Sequence, residues 1–397
     1  MKTQHLLLCL ALTGFSAQAQ LTVPSDGSDG SLAVSENSVI DLGLARAGAW
    51  NASNASAPGT GIYDAGKWAV VYKYASVSIA EAATLTFANH PTHAPVVWLV
   101  AGDVTINGTV NLDGRPGATT VPEQYSPSEP GPGGCRGGAV GPLGAGAGYG
   151  PAGGASPRGY GNYATSYGNP QLIPLIGGSG AGASEAGFVG NPAASGGAGG
   201  GAILIVAGGT VTINGIISAK GARAFPPATT ASYGASGAVR IVANAIQGSG
   251  TIDASGLDAS TVGRTRMEAN SISPTLNIFP NTAAVAPGAT PVLWPPDNAP
   301  TVEIVSVDAH NAPADPQAQV GTSSDVQIAS NSPVNILLKT RNLPPEGSVS
   351  LRITPKYAEA AILAASFVTG DATEATWQVT TTLPLGFCTL QARATAP

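Results

Sequence analysis

A short repeat of alternating residues constrains the fold of this chain more than any other feature. Residues 104–114 (VTINGTVNLDG) recur as residues 211–221 (VTINGIISAKG), and residues 246–256 (IQGSGTIDASG) form a more distant third copy. Apolar and polar side chains that alternate with period two bury one face of a short strand, and a corner glycine lets the chain turn where a side chain would clash. The repeat therefore predicts an all-β fold.

Each copy of the repeat follows a short apolar run, so the unit consists of a strand, a corner and a second strand. The three runs are residues 97–100, 203–206 and 239–242. Stacked coils of a parallel β-helix or a related solenoid explain this repetition, because a single coil cannot bury its own apolar face. Asn-Gly between alternating runs is also the usual signal of a two-residue hairpin, so an antiparallel barrel or sandwich is the alternative architecture.

A glycine-rich stretch separates the first two copies of the repeat. It covers about residues 131–201 and holds 26 of the 53 glycines, and its only charged residues are Arg136, Arg158 and Glu185. The glycines follow no strict three-residue period, which excludes collagen. A flexible linker is one interpretation. The apolar run at residues 172–176 favours the other, a compact insertion of extended glycine segments packed against the β core.

The rest of the chain divides into a linker and a smaller domain. Residues 279–300 contain six prolines and predict a stiff linker. Residues 301–397 carry short strand-like segments at regular spacing, with turn residues between them, as in an immunoglobulin-like sandwich. Trp377 and Phe387 are its predicted core aromatic residues. The predicted strands are residues 302–307, 334–339, 349–353, 376–381 and 387–394. The β-helix-like domain is then residues 20–278, including the insertion.

The first 19 residues have the features of a cleaved export signal. A basic start precedes an apolar stretch at residues 6–15, and Ala17 and Ala19 supply the small residues that signal peptidase needs. We therefore expect an extracellular, cell-surface or periplasmic protein. Cys135 and Cys388 remain after cleavage, too few for a disulfide scaffold, although an oxidising compartment would allow a bond between them.

Composition excludes several classes of protein. Only 10% of the residues are charged, the net charge is −6, and the 17 basic residues are scattered, which is the opposite of a nucleic-acid-binding surface. After the leader there is no apolar run near 20 residues, so no membrane span is predicted. The hydrophobic share of 43% argues against wholesale disorder.

Two short patterns are candidates for metal binding. Asp26 and Asp29 are separated by glycine turns, as in oxygen-ligand calcium loops, but the nearest further acid is Glu36, and a surface turn is the alternative interpretation. His90 and His93 are three residues apart, yet the intervening proline disfavours the helical face that such pairs use to hold a metal. A loop is predicted for the histidines, and calcium is the only cofactor considered.

Four tyrosines interrupt the glycine-rich stretch. Flat amphipathic rings pair with the faces of sugars, so these side chains are candidates for stacking on a glycan. Packing of the insertion onto the β core is the alternative interpretation. They are Tyr149, Tyr160, Tyr163 and Tyr167.

Catalysis would need clustered acids or bases. Cleavage of a polysaccharide requires paired carboxylates, or a base beside a charge-stabilising cation. The candidates are Asp113 with Arg115 and Asp253 with Asp258. Asp113 and Asp253 fall at different positions of the repeat, so they are not expected to stack in one row, and corner residues that cap turns are the favoured interpretation. The prediction is that the chain is not an enzyme.

Several segments between residues 22 and 260 carry a resemblance to known proteins. They include residues 26–30 (DGSDG), 39–42 (VIDL), 94–108 (APVVWLVAGDVTING) and 201–205 (GAILI). Together they resemble uncharacterised glycine-rich exported proteins of environmental Gram-negative bacteria, which also carry a similar C-terminal domain. The resemblance implies secretion and a β-rich fold, with no established activity.

These observations predict a secreted, non-enzymatic structural, surface or adhesive protein without catalytic residues. Its expected partners are extracellular glycans or other cell-surface components. A glycan-binding protein is the alternative, followed by a polysaccharide lyase or hydrolase on a β-helix.

Overall fold

The protein is all-β. The computed structural model describes residues 21–117, 119–121, 124–125, 128–138, 140–141, 144–145, 168–183, 194–224, 233–257, 261–313, 325–329, 331–355, 358–386 and 388–397. The predicted leader lies outside these ranges. Within them the regular structure consists of strands and one short 3-10 helix, Leu42–Leu44, and no helix there is long and apolar enough to cross a membrane.

Three large sheets form the framework of the region up to residue 279. Sheet A has six strands, which are Ser31–Val34, Ser76–Ile79, Val104–Ile106, Thr210–Ile213, Ala245–Gln247 and Ser271–Ile272. Sheet B also has six, which are Ser38–Asp41, Thr84–Ala88, Thr109–Asn111, Ile216–Ser218, Thr251–Asp253 and Asn277–Phe279. Sheet C has seven, which are Arg46–Ala47, Ile62–Asp64, Ala69–Tyr74, Val96–Val100, Ala202–Ala207, Ala238–Val242 and Arg264–Glu268.

The chain passes through these sheets in the order C, A, B five times, and neighbouring passes pair in parallel. The predicted alignment of the repeats is confirmed, because Val211 pairs with both Val104 and Ile246. The Asn-Gly corners join sheet A to sheet B instead of closing a hairpin within one sheet. An antiparallel barrel or sandwich is therefore the wrong interpretation of the repeats.

The polar N-terminal segment also contributes strands. Ser31–Val34 pairs with Ser76–Ile79 at the edge of sheet A, and Ser38–Asp41 pairs with Thr84–Ala88 at the edge of sheet B. These two strands therefore cover the first edges of sheets A and B.

Side chains from the inner faces of the three sheets form one apolar core. Aliphatic residues dominate it, and aromatic rings fill the end nearest the N-terminus. Tyr72 and Tyr74 stack with ring centroids 5.3 Å apart, and the fully buried Trp98 meets Tyr74 edge-on at 6.1 Å. Burial of these large side chains is the main apolar contribution to stability at this end of the core.

The glycine-rich segments form a second packed region, which we call the glycine layer. It lies where the chain leaves sheet B and returns to sheet C. Cys135 N donates to Gly178 O (2.9 Å), and Gly199 N donates back to Cys135 O (2.9 Å). Gly178 N donates to Gly200 O (2.8 Å), so three segments are mutually hydrogen-bonded. The described parts of the layer are residues 131–138, 177–183, 194–201, 219–224 and 233–237.

Close backbone contact explains why these segments consist of glycine. A methyl group on Gly178 would overlap the carbonyl oxygen of Ala235, and one on Gly199 would overlap the carbonyl oxygen of Gly178. The absence of a side chain allows one backbone to lie directly against another. The described glycine segments therefore pack against the β core and do not behave as a free linker. Four short antiparallel strands form a separate sheet in the segment that leads from Asn111 in sheet B to Ala202 in sheet C. They are Thr119–Val121, Gln124–Tyr125, Val140–Gly141 and Gly144–Ala145.

Much of the outer face of sheet C is apolar and covered. Leu21, Leu172 and Leu293 pack against it, and they come from the N-terminal segment, the insertion and the proline-rich linker. The ring centroids of Trp294, in the linker, and Trp50 lie 5.6 Å apart. Part of the predicted stiff linker is therefore docked on the parallel sheets.

Two antiparallel sheets form the C-terminal region and share one apolar core. Every predicted strand overlaps an observed one, and three further edge strands, His310–Asn311, Ala361–Ala364 and Ser366–Gly370, were not predicted. The five-stranded sheet comprises Thr301–Val307, His310–Asn311, Val334–Arg341, Ser366–Gly370 and Glu374–Thr381. The three-stranded sheet comprises Ser348–Pro355, Ala361–Ala364 and Cys388–Thr395.

Trp377 is a core aromatic residue of this region, as predicted. It is 4% exposed, and its Nε1 donates to Thr340 Oγ1 (2.9 Å). Phe387 lies outside the described residues, and the ring that meets Trp377 edge-on at 5.4 Å is that of Phe367. Burial raises the pKa of the Cys388 thiol to about 11. No disulfide joins Cys388 to Cys135, which is buried in the glycine layer.

Substitution of one glycine tests the close packing of the glycine layer. We expect Gly178→Ala to lower the free energy of unfolding by about 3 kcal/mol, because the added methyl group must displace backbone. Gly48→Ala is the control, since its methyl group would lie 3.6 Å from the nearest heavy atom, Ile62 Cγ2. Urea unfolding of both variants is the measurement, and equal stability would contradict the packing described.

Candidate functional site

Asp29, one of the calcium candidates, is the centre of a buried polar cluster. Its side chain is 5% exposed, and both carboxylate oxygens accept N–H groups. Oδ1 accepts from Asn54 Nδ2 (2.6 Å) and from Gly59 N (3.0 Å), whereas Oδ2 accepts from Lys73 N (2.7 Å). Asp29 thus ties the N-terminal turn to the loop between the first two strands of sheet C and to the third strand of that sheet.

A lysine side chain lies beside the second calcium candidate. Lys73 is 2% exposed, and its ammonium group donates to Ala52 O and lies 3.5 Å from Asp26 Oδ1. Burial alone would raise the pKa of Asp26, but hydrogen bonds from Ser28 and the Lys73 charge lower it to about 2.

These contacts give the calcium hypothesis no support. The cation beside Asp26 is the ammonium group of the chain itself, and Asp29 faces N–H donors. Among the described residues, no group of three or more His, Cys, Asp and Glu side chains is arranged to hold a metal ion. Sequence reasoning treated Asp29 as part of a surface turn and missed its burial, because Asn54 and Lys73 are distant along the chain.

A second polar cluster lies at the ends of the sheet B strands. Asp113 Oδ1 accepts from Ser218 Oγ (2.6 Å) and from Lys220 N (2.6 Å). Lys220 Nζ lies 2.5 Å from Asp253 Oδ2, and Asp253 Oδ1 accepts from Ser255 Oγ (2.6 Å). The strand that contains Ser218 is therefore fastened to both of its neighbours.

The two acids of this cluster occupy different repeat positions, as predicted. Asp253 pairs with Ser218, whereas Asp113 bonds to the backbone of Lys220 two residues further on. The Arg115 guanidinium donates to Phe87 O (3.2 Å), and Asp258 lies outside the described residues. The contacts of Asp113 and Asp253 are with donors of the chain itself, which is the arrangement of turn-capping residues.

A third cluster surrounds the predicted histidine loop, which connects sheet B to sheet C. The rings of His90 and Tyr63 stack with centroids 4.0 Å apart. His93 Nε2 lies 3.7 Å from Glu129 Oε2, and Trp68 Nε1 donates to Thr92 O (3.0 Å). The loop prediction for His90 and His93 is confirmed.

Two bulky residues of this third cluster have an unusual backbone conformation. Trp68 (φ 46°) and His93 (φ 52°) adopt the left-handed conformation, which is unusual for bulky residues and persists only when the surroundings impose it. Burial and the neighbouring His93 lower the pKa of His90. A hydrogen bond with His93 lowers the pKa of Glu129 against the opposing effect of burial.

The loop at residues 89–93, which we call the histidine corner, joins the β sheets to the glycine layer. His93 O accepts from Gly133 N (2.7 Å), and Asn89 Nδ2 donates to Pro130 O (2.8 Å). Glu129 comes from the insertion and His93 from the loop, so no local sequence signal could have paired them. All three clusters therefore hold neighbouring passes of the chain together.

The glycan-stacking candidates Tyr149, Tyr160, Tyr163 and Tyr167 lie outside the described residues. The hypothesis that they bind sugars stays a prediction.

Comparison of the chain with known protein families, curated proteins and solved structures finds no match.

The pKa of Asp253 gives a testable pH dependence. Burial would raise this pKa, but hydrogen bonds from Lys220 and Ser255 hold it below the usual value of 3.8. The folded state therefore favours the carboxylate, which stabilises the protein above pH 3.8, and this contribution is lost as the pH falls through the lowered pKa. In urea unfolding, we expect Asp253→Asn to have a lower free energy of unfolding than the wild type at pH 7. The difference between the two proteins should be smaller near pH 3.

The control for this measurement is Glu346→Gln in an exposed turn. It should leave the free energy of unfolding unchanged both at pH 7 and near pH 3. A difference between wild type and Asp253→Asn that stays constant with pH would contradict the ionic role of Asp253.

Proposed function

We propose that the protein is an exported, non-enzymatic protein with a structural, surface or adhesive role. In this proposal, residues 20–278 are a β-helix-like domain with a glycine-rich insertion, and residues 301–397 are an immunoglobulin-like sandwich. The leader at residues 1–19 directs export, and the mature chain acts outside the cell, on its surface or in the periplasm.

The observation that carries the proposal is the uninterrupted parallel pairing of successive passes in three sheets. In sheet C, Ile205 pairs with both Trp98 and Ile241, and in sheet B, Ile217 pairs with both Val110 and Ile252. Such stacking produces a stiff body whose length grows with each pass. A stiff spacer with regular outer faces suits a protein that builds or decorates a surface.

The polar clusters support the same role. The carboxylates of Asp29, Asp113 and Asp253 accept hydrogen bonds from groups of the chain itself. These acids stabilise the architecture. Their contacts resemble those of residues that cap turns and join neighbouring segments more than those of a reaction centre. The contacts of Asp113 and Asp253 therefore support the structural role over the enzymatic alternative.

Export and adhesion can be tested together in a Gram-negative host. We expect the full-length chain to be recovered outside the cytoplasm with Gln20 at its N-terminus. An Ala17→Leu/Ala19→Leu variant should stay uncleaved, because signal peptidase needs small residues at these positions. Cells that export the wild type should attach to a surface more strongly than cells that carry the empty vector.

Two results would contradict the proposal. One is retention of the wild-type chain in the cytoplasm. The other is release of new reducing ends or unsaturated products when the purified protein is incubated with a panel of polysaccharides.

A further inference from the structure

Two outer faces of the parallel sheets carry rows of small hydroxyl side chains in register. In sheet A, Thr105 pairs with both Ser78 and Thr212. The residues that flank them along each strand are buried in the core, so these three side chains point outward. Each is partly or fully exposed.

Sheet B repeats the arrangement on the adjoining face. Thr109 pairs with Thr84 on one side and with Ile216 on the other, and Ile216 pairs with Thr251. The residue that follows each of these four along its strand is buried in the core, and Ile216 itself is 43% exposed. The row thus combines three hydroxyl groups with one apolar side chain.

The corner between the two sheets carries an amide ladder. Asn214 Nδ2 donates to Asn107 Oδ1 (2.9 Å). Each amide retains a second polar group beyond this bond, Nδ2 of Asn107 and Oδ1 of Asn214, so the ladder offers both a donor and an acceptor. We call the two rows and this ladder the hydroxyl face. Its residues are Ser78, Thr105, Thr212, Asn107, Asn214, Thr84, Thr109, Ile216 and Thr251.

The hydroxyl face carries no charge. The charged residues nearest to it along the strands are an acid and an ion pair: Asp103, whose Oδ1 accepts from Thr210 N (2.7 Å), and Asp253, which is paired with Lys220. A phosphate-rich partner such as a nucleic acid or an anionic membrane requires basic side chains. Charge complementarity therefore indicates an uncharged partner.

The spacing of the rows indicates a partner with a repeating structure. Adjacent strands lie about 4.7–4.9 Å apart, so equivalent hydroxyl groups recur at that interval along each row. Hydroxyl and amide groups both donate and accept hydrogen bonds, which matches the hydroxyl groups of sugars. The threonine methyl groups and Ile216 offer apolar contacts to the C–H faces of sugar rings.

We infer that the hydroxyl face binds an insoluble, uncharged polysaccharide. This inference rests on the proposed adhesive function and names the surface and the class of partner. The mixture of Ser, Thr, Asn and Ile suits sugar hydroxyl groups, which can reorient, better than a rigid lattice such as ice, which would favour one repeated group.

Co-sedimentation of the purified full-length protein with cellulose and chitin tests the inference. The wild type should enter the pellet, and Thr105→Lys/Thr212→Lys should bind roughly tenfold more weakly or worse, because unpaired charges would face a neutral partner. Thr105→Ser/Thr212→Ser keeps the hydroxyl groups and should retain binding. Thr376→Lys, a partly exposed position on the C-terminal five-stranded sheet, is the matched control for added charge and should also retain it.

The outcomes separate this inference from the proposed function. Pelleting of the Thr105→Lys/Thr212→Lys variant at the wild-type level would overturn the assignment of the face. A wild type that mediates cell attachment but sediments with neither polysaccharide would overturn the class of partner and leave the adhesive role standing. Inhibition of ice recrystallisation without polysaccharide binding would replace the polysaccharide with ice.

Discussion

Backbone contact between glycine segments is the constraint on which the parallel sheets depend. The insertion leaves the strand that ends at Asn111 and returns to the strand that begins at Ala202, and its two ends meet where Gly201 N donates to Leu112 O (2.8 Å). This contact lets Ile203 pair with Val96 as if no insertion intervened. Closing so long a loop has an entropic cost, and hydrogen bonds among the glycine segments offset it.

The polar clusters also hold distant segments of the chain together, through charged side chains. Asp29, Asp113 and Asp253 each connect segments that are distant in sequence and adjacent in space. In a chain with 10% charged residues, this leaves the outer faces of sheets A and B with mainly small polar groups. The architecture and the proposed partner are linked in this way, since the charges that would attract an ionic partner hold the fold together.

The fold was predictable from sequence wherever the signal was local and periodic. The repeats fixed the register of Val104, Val211 and Ile246 because alternation shows which face of a strand is buried. Trp377 was predictable as a core residue for the same reason. The strands Ser31–Val34 and Ser38–Asp41 were missed because they are short edge strands in a polar segment, stabilised by pairing with neighbours more than 40 residues away.

The polar sites were less predictable than the strands. The burial of Asp29 depends on Asn54 and Lys73, and the pairing of His93 with Glu129 depends on where the insertion folds back. No local pattern encodes such contacts. The docking of Leu293 and Trp294 on sheet C was missed for a related reason, since proline content indicates a stiff segment but not the surface on which it packs.

Amide hydrogen exchange of the native protein tests the central claim most directly. The amides of Cys135, Gly178 and Gly199 donate to backbone carbonyl groups inside the glycine layer. We predict that they exchange as slowly as amides of sheet C such as that of Ile205, because both sets open only when the core unfolds. Rapid exchange of the glycine amides alongside slow exchange in sheet C would show that the layer is not part of the folded core and would contradict the account.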